Sequence, residues 1–283
     1  MLKSSPSATA RDLAKLRSLV HAETGIKLPP GKDVMIETRL KRRLIDLNMP
    51  DMDAYLDLLF ANGGLEAEFP TIVDLMTTNK TDFFREDSHF QILVSQIVPS
   101  VLRALPTGAS KRFKVWSAAA SSGEEAWTIS MLLAKAAQQD PRLEWAILGT
   151  DISNRVLERA NRAVYTKSDL APVPDGLRSK YVMMAKDQAS GRIVPELRAR
   201  VRFESLNLTK TPYAVDHGLD VVFLRNVLIY FEPDMQARVI AQCASHLRAG
   251  GYFFVGHSES MTVNQPNLTQ IAPGVFRKEG AEP

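Results

Sequence analysis

Phe113-Lys114-Val115-Trp116-Ser117-Ala118, followed at once by Ala119-Ala120-Ser121-Ser122-Gly123-Glu124-Glu125, is the stretch that decides the fold. The first six residues are mostly apolar and contain aromatic and β-branched side chains, as a buried strand requires. The next five are small, so a ligand can approach the backbone. They open onto a helix expected over residues 123–138, whose N-terminus is electropositive. Strand, small-residue turn and helix N-terminus in that order form the ligand-binding corner of open α/β sheets. The corner is hostile to phosphate, because Glu124 and Glu125 would repel it and neither G-x-G-x-x-G nor G-x-x-x-x-G-K-[ST] is present. A cationic, phosphate-free ligand fits better, although the positive end of the helix explains one of the acids by itself.

Outward from this corner, residues 145–151, 201–208, 219–226 and 251–257 repeat the apolar strand pattern. Helical stretches at 154–163 and 233–247 separate some of them, the last starting at Pro233 and stopping at Gly250-Gly251. This predicts a doubly wound, mainly parallel sheet. Residues 165–202 break the pattern with prolines, a Ser190-Gly191 turn and short alternating runs, and are expected to form a small antiparallel insertion. The first 76 residues read differently, as helices over 10–24, 34–47, 52–61 and 66–76. Leu13, Leu16, Leu19 and Val20 form one stripe and Ile36, Leu40, Leu44 and Leu47 another. The Asn62-Gly63-Gly64 run supplies a stop for the third helix.

Composition excludes several classes. No segment approaches the run of about 20 apolar residues that a membrane helix needs, and the N-terminus lacks a signal-peptide core, so the reading is cytoplasmic with no direct membrane insertion. The single cysteine, Cys243, cannot form an internal disulfide and reads as a buried small apolar residue. A net charge of +3 makes no demand for nucleic acid. At the remaining strand ends, Asp151 could accept ribose hydroxyls or cap the next helix. Asn207, Arg225 and Asn226 could bond an adenine edge or an amino-acid group, or could satisfy turn backbone. His89 and His257 show no metal-ligand spacing, and Ser258 and Ser260 lack a hydrolase nucleophile pattern.

Six segments in order carry a resemblance. They are Thr77-Thr78-Asn79-Lys80-Thr81-Asp82-Phe83-Phe84-Arg85-Glu86, VWSAAASSGEE at 115–125, TDIS at 150–153, SLNL at 205–208, LRNVLIYF at 224–231 and GHSES at 256–260. With them the chain resembles the CheR family of chemotaxis-receptor glutamate methyltransferases, over about residues 24–278. The resemblance implies an all-α docking domain (1–76), a junction (77–90), and a Rossmann-like class I methyltransferase domain (91–283) with a β-insertion at about 165–202. S-adenosylmethionine would be the methyl donor and S-adenosylhomocysteine the product, with no metal. Asn79, Thr81, Arg85, Glu125, Asp151, Asn207, Leu208, Arg225 and Asn226 would contact the donor or its product. Arg85 and Tyr230 would also face the reacting centre, unless Tyr230 simply packs in the core. Arg39, Arg42 and Arg43 share a helical face that would meet the acidic methylation helices of the receptor. The chain is expected to act as a monomer. Ala126 and Trp127 stand where the family commonly has Pro and Tyr, and Leu224 where it often has Cys, which bears on substrate preference.

The chemistry needs no Ser-His-Asp or metal constellation, because a carboxylate nucleophile is already ionised near neutral pH. Methyl transfer to it is an in-line displacement that positioning and electrostatics can accelerate. Rival readings fare worse. A DNA amino-methyltransferase would carry Asp/Asn-Pro-Pro-aromatic where this chain has Arg225-Asn226-Val227-Leu228, and a nicotinamide oxidoreductase conflicts with the acidic corner. Two readings closer to the resemblance stay open: a methyltransferase of signalling proteins outside chemotaxis, and a non-catalytic docking module that binds the donor.

Overall fold

Apolar residues recurring at amphipathic helical spacing near the N-terminus produce four helices: α1 (Ala8–Thr24), α2 (Asp33–Asp46), α3 (Met52–Phe60) and α4 (Leu65–Met76). Their stripes bury Leu13, Leu16, Val20, Ile36, Leu40 and Tyr55 in one core, and the Asp51 carboxylate caps α3 by accepting from the Ala54 N–H. The computed structural model describes residues 8–28 and 31–280. They divide into this helical unit, which also takes Tyr230–Glu232, and a larger unit formed by Asn79–Ile229 and the chain from Pro233 onward.

The larger unit begins with α5 (Asp87–Ile92), a π turn (Leu93–Ile97) and α6 (Val98–Arg103). Then follow β1 (Lys111–Ala118), α7 (Glu124–Gln139), β2 (Leu143–Asp151) and α8 (Asn154–Arg162). The insertion comprises β3 (Val164–Thr166), α9 (Asp175–Tyr181), β4 (Val182–Met184), β5 (Ser190–Ile193) and α10 (Pro195–Arg198). After β6 (Val201–Ser205) and β7 (Leu219–Leu224) come α11 (Pro233–Ser245), β8 (Leu247–Val255), β9 (Leu268–Ala272) and β10 (Val275–Lys278).

The main sheet runs β6-β2-β1-β7-β8-β10-β9. Its first five strands are mutually parallel, β10 is antiparallel to β8, and β9 is antiparallel to β10. Winding proceeds from β1 outward to β2 and β6, then returns to β7 on the other flank of β1. That reversal is the topological switch point, beyond whose strand carboxyl ends open α/β sheets bind ligands. Register sets Ala118 beside Leu224, so the residues after β1 and after β7 emerge side by side. The insertion is a separate antiparallel sheet, β3-β5-β4. A Cβ at Gly191 of β5 would sit 2.5 Å from Val182 Cγ1, so only glycine allows the tight packing there.

Two expectations are corrected. Gly250-Gly251 does not stop α11, which ends at Ser245. The pair lies inside β8, where the register with β7 slips and Gly250 takes φ +68°. The antiparallel pair β9–β10, which the apolar runs did not announce, closes one sheet edge. β9 is largely exposed, so it lacks the continuous hydrophobic signature of a central strand.

Candidate functional site

Glu125 stands in the first turn of α7, and two neighbouring strand ends converge on its carboxylate. Ser117 Oγ, from β1, donates to Oε1 at 2.7 Å, and Arg225 Nη1, just past β7, donates to Oε2 at 2.8 Å. Arg225 is buried. Its Nη2 donates to the Arg85 carbonyl at 2.6 Å and lies 3.2 Å from Glu86 Oε2, while Phe90 offers its ring 5.3 Å from the guanidinium carbon. One arginine therefore ties the junction, the strand end and the helix start together, with two carboxylates balancing its charge.

Backbone geometry at the corner is strained where the ligand side would be. Of the eight described non-glycine residues with positive φ, five are Phe84, Glu86, Ala119, Ser121 and Asn226, all beside this crevice. Each costs roughly 1–2 kcal/mol, and such strain collects at functional sites. Asp151 fixes the loop: its Oδ2 accepts from the Ser121 N–H at 2.9 Å and its Oδ1 from the Ser153 N–H at 3.0 Å. Helix α8 is capped by Ser153 instead, so Asp151 is not its N-cap. Ser121 Oγ donates to the Asn79 carbonyl at 2.8 Å, joining the junction to the loop. Gly123 takes φ +94°, and a Cβ there would meet Ala160, Phe203 and Trp127 at 2.9–3.0 Å.

Glu124 differs from its neighbour. It is buried, accepts twice from Ser122 Oγ at 3.0 and 2.8 Å, and burial raises its carboxyl above the usual range. Helix polarity alone does not account for an acid turned inward.

Glu86 and Glu259, which lie in the quoted segments 77–86 and 256–260 but were assigned no role there, complete the framework. Burial alone would raise Glu86, yet the Asn226 amide, the Arg225 guanidinium and the His257 N–H hold its carboxyl below the usual range. Glu259 accepts from the Gly256 and Asn226 N–H groups at Oε2 (2.8 and 2.7 Å) and from the Leu228 N–H at Oε1 (2.8 Å), locking the β8 end to the β7 loop. Burial raises Glu259 in spite of these donors. The insertion also reaches this loop, for Tyr165 donates to the Ser122 carbonyl at 2.6 Å. A buried glutamate in GHSES and a tyrosine starting the insertion were the available signals.

A family model described as the CheR methyltransferase SAM binding domain matches residues 79–275, and the CheR methyltransferase all-alpha domain matches residues 11–77. The chain belongs to the CheR methyltransferase family. Curated relatives agree. The chemotaxis protein methyltransferase of Salmonella typhimurium is 35% identical, covering 88% of this chain and 83% of its own. That of Escherichia coli is 34% identical (93% and 88%), and that of Borreliella burgdorferi 31% (95% of both). This CheR-family chain is thus a methyltransferase whose methyl donor is S-adenosylmethionine. Its corner fits a donor that carries a sulfonium and an amino acid but no phosphate, because Glu125 offers a carboxylate whose lone pairs Ser117 and Arg225 do not exhaust, and the small-residue turn leaves the backbone approachable.

The structure brings Arg85, Glu125, Arg225 and Asn226 together at the switch point of the methyltransferase domain, with Asn79 and Asp151 linked through Ser121. Arg85 itself donates to the Lys80 carbonyl at 3.1 Å, and Thr81 is half-buried. Asn207 and Leu208 follow β6. The Asn207 Oδ1 holds a turn by accepting from the Thr209 N–H and hydroxyl at 2.9 and 2.8 Å, and Leu208 is buried. Tyr230 is half-buried and groups with the helical unit, its carbonyl accepting from the Lys27 N–H at 2.9 Å.

The three arginines expected to share a face of α2 meet different partners within the helical unit. Arg39 reaches the carbonyls at the end of α4 (Leu75 and Thr77 at 3.3 Å, and Met76) and Thr78 Oγ1 at 2.9 Å, placing positive charge on that helix's negative pole. Arg43 forms a two-pronged pair with Glu68 at 2.7 and 2.6 Å, which also accepts from the Tyr55 hydroxyl at 3.1 Å. Arg42 alone of the three points out, bonded among the described residues to Asp46 one turn on.

Proposed function

We propose that this methyltransferase transfers the methyl group of S-adenosylmethionine to glutamate side-chain carboxylates on the cytoplasmic methylation helices of chemoreceptors, giving methyl esters in sensory adaptation. The observation that carries the reading is the Ser117–Glu125–Arg225 constellation at the switch point, an acidic corner suited to a cationic donor, in a chain of this family. Bound there, the donor supplies an electrophilic methyl group. Glu125 holds the donor's cationic end, Arg225 orients Glu125 through its 2.8 Å hydrogen bond, and Asp151 sets the loop on the nucleoside side.

The substrate carboxylate needs no general base, since it is ionised near neutral pH. Arg85 orients one of its oxygens with a guanidinium fork while the other attacks. For docking, the outward stripe of α2 supports a receptor helix: Val34, Thr38, Lys41 and Ile45 recur at helical spacing and are exposed, with Arg42 beside them. Two apolar residues exposed by more than 70% among basic ones suit a partner helix with an apolar seam and acidic flanks.

Incubating the protein with methyl-labelled donor and a panel of receptor cytoplasmic fragments should give base-labile label on glutamate. Absence of label on every fragment, with donor binding intact, would sink the proposal.

A further inference from the structure

Three groups behind Arg225 are arranged as ligands. Glu86 precedes α5, His89 lies one turn later, and His257 begins the 3-10 turn after β8, and one ligand atom from each falls within 4.8 Å of the others. The orientation of each ring is fixed from outside. His89 Nε2 lies 3.1 Å from the Pro273 carbonyl, which can only accept, so the hydrogen of the neutral ring is on Nε2. His257 Nε2 lies 3.3 Å from Ser88 Oγ. Both Nδ1 atoms therefore turn toward Glu86 Oε2, at 3.5 Å for His89 and 3.8 Å for His257.

His89 is the decisive member. Its side chain is wholly buried, and Nδ1 has no hydrogen-bond partner among the described residues. A bare lone pair thus faces a carboxylate oxygen, two acceptors opposed, which a cation between them would reconcile.

We propose that Glu86, His89 and His257 bind one borderline transition-metal dication of the zinc, cobalt or nickel class. Tetrahedral sites with bonds of about 2.1 Å have ligand-to-ligand edges of about 3.4 Å, close to the spacings from Glu86 to the two rings. Two imidazoles and a carboxylate, with a fourth position for water, are a donor set such ions favour. Hydrogen bonds behind both rings, and from Asn226 Nδ2 to Glu86 Oε1 at 3.1 Å, supply the outer support that orients metal ligands. Arg225 opposes a cation, but Glu125 and Glu86 together outweigh its single charge. His257, with a side chain 47% exposed, gives access from solvent. The ion would clamp the junction turn onto the β8 loop. Its ligands were invisible as a motif because His257 lies far along the chain from the other two.

The test is titration of tag-free, chelator-stripped protein with Co2+, read by visible absorption, and with Zn2+, read by calorimetry and by thermal unfolding. One saturable equivalent is expected, with a raised melting temperature. Affinity should fall by about tenfold or more in His257→Gln and in Glu86→Gln, and should persist in His217→Gln. Absence of saturable binding, or binding as tight in both site variants as in the parent, would overturn the proposal. Circular dichroism establishes that each variant folds, and the two variants guard against a structural failure in either.

Discussion

Two arginines show how the same residue type takes opposite roles. Arg225 has its fork spent on Glu125, Glu86 and the Arg85 carbonyl, all at the switch point. Lysine there keeps the charge but reaches fewer of these acceptors, so Arg225→Lys is expected to weaken S-adenosylhomocysteine binding by about tenfold, ~1.4 kcal/mol, in calorimetry. Unchanged affinity would refute the central placement of Arg225. Arg43 instead serves the helical core, holding Glu68 below its usual carboxyl range against burial. Arg43→Ala leaves Glu68 and the Tyr55 hydroxyl without their partner and should cost about 2 kcal/mol of stability, measured by urea unfolding. Turnover of the folded variant should stay near the parent's, whereas Arg85→Ala should lose turnover far more. Equal turnover losses would deny Arg85 a special role.

At the scale of elements, the apolar runs announced the central parallel strands because these are largely buried, β7 at all six positions, whereas β6, at the sheet edge, has only Val201 buried and is legible instead from its alternation. β9, at the opposite edge, is mostly exposed, and β10 is four residues long with only Val275 and Phe276 buried, so neither offers a sustained apolar run. The same limit applies to the site. Glu125, Asp151 and Arg225 were legible because they follow strands, but Glu86 and Glu259 act through partners distant in sequence, which spacing cannot reveal. The partners of Arg39 and Arg43 were not legible, because helical spacing does not show what packs against a face. One local requirement was fully written in the chain: Gly123, between β1 and α7. Its φ of +94° and the Ala160, Phe203 and Trp127 atoms waiting at 2.9–3.0 Å both oppose a side chain. Gly123→Ala is therefore expected to cost about 1–3 kcal/mol in thermal unfolding and to lower donor affinity. A variant as stable and as tight-binding as the parent would show that the loop yields.

Across the whole molecule, buried titratable groups pull stability in opposite directions with pH. His246 is buried against Trp116, Tyr213 and His217, with the Asp216 carbonyl on Nδ1, and Lys278 adds unfavourable charge nearby. Burial lowers its pKa from the ordinary 6.5. The unfolded chain then takes up a proton near pH 6.5 that the native state declines, so this contribution is complete above that pH and is lost as pH falls toward the native value. His89 acts in the same sense, and the depressed carboxyls Glu68 and Glu86 do so only below the ordinary 4.5. Glu124 and Glu259 act oppositely, since their raised native pKa makes folding take up protons as pH falls. The total slope mixes these signs, and a single variant separates them. All three tryptophans, Trp116, Trp127 and Trp145, lie in the methyltransferase unit, so their fluorescence reports its urea unfolding. Between pH 7 and pH 5, His246→Phe should lose less stability than the parent, the difference in slope growing toward the acid end and not exceeding one proton. Parallel curves for the two proteins would mean that His246 titrates in the native state as it does in the unfolded chain.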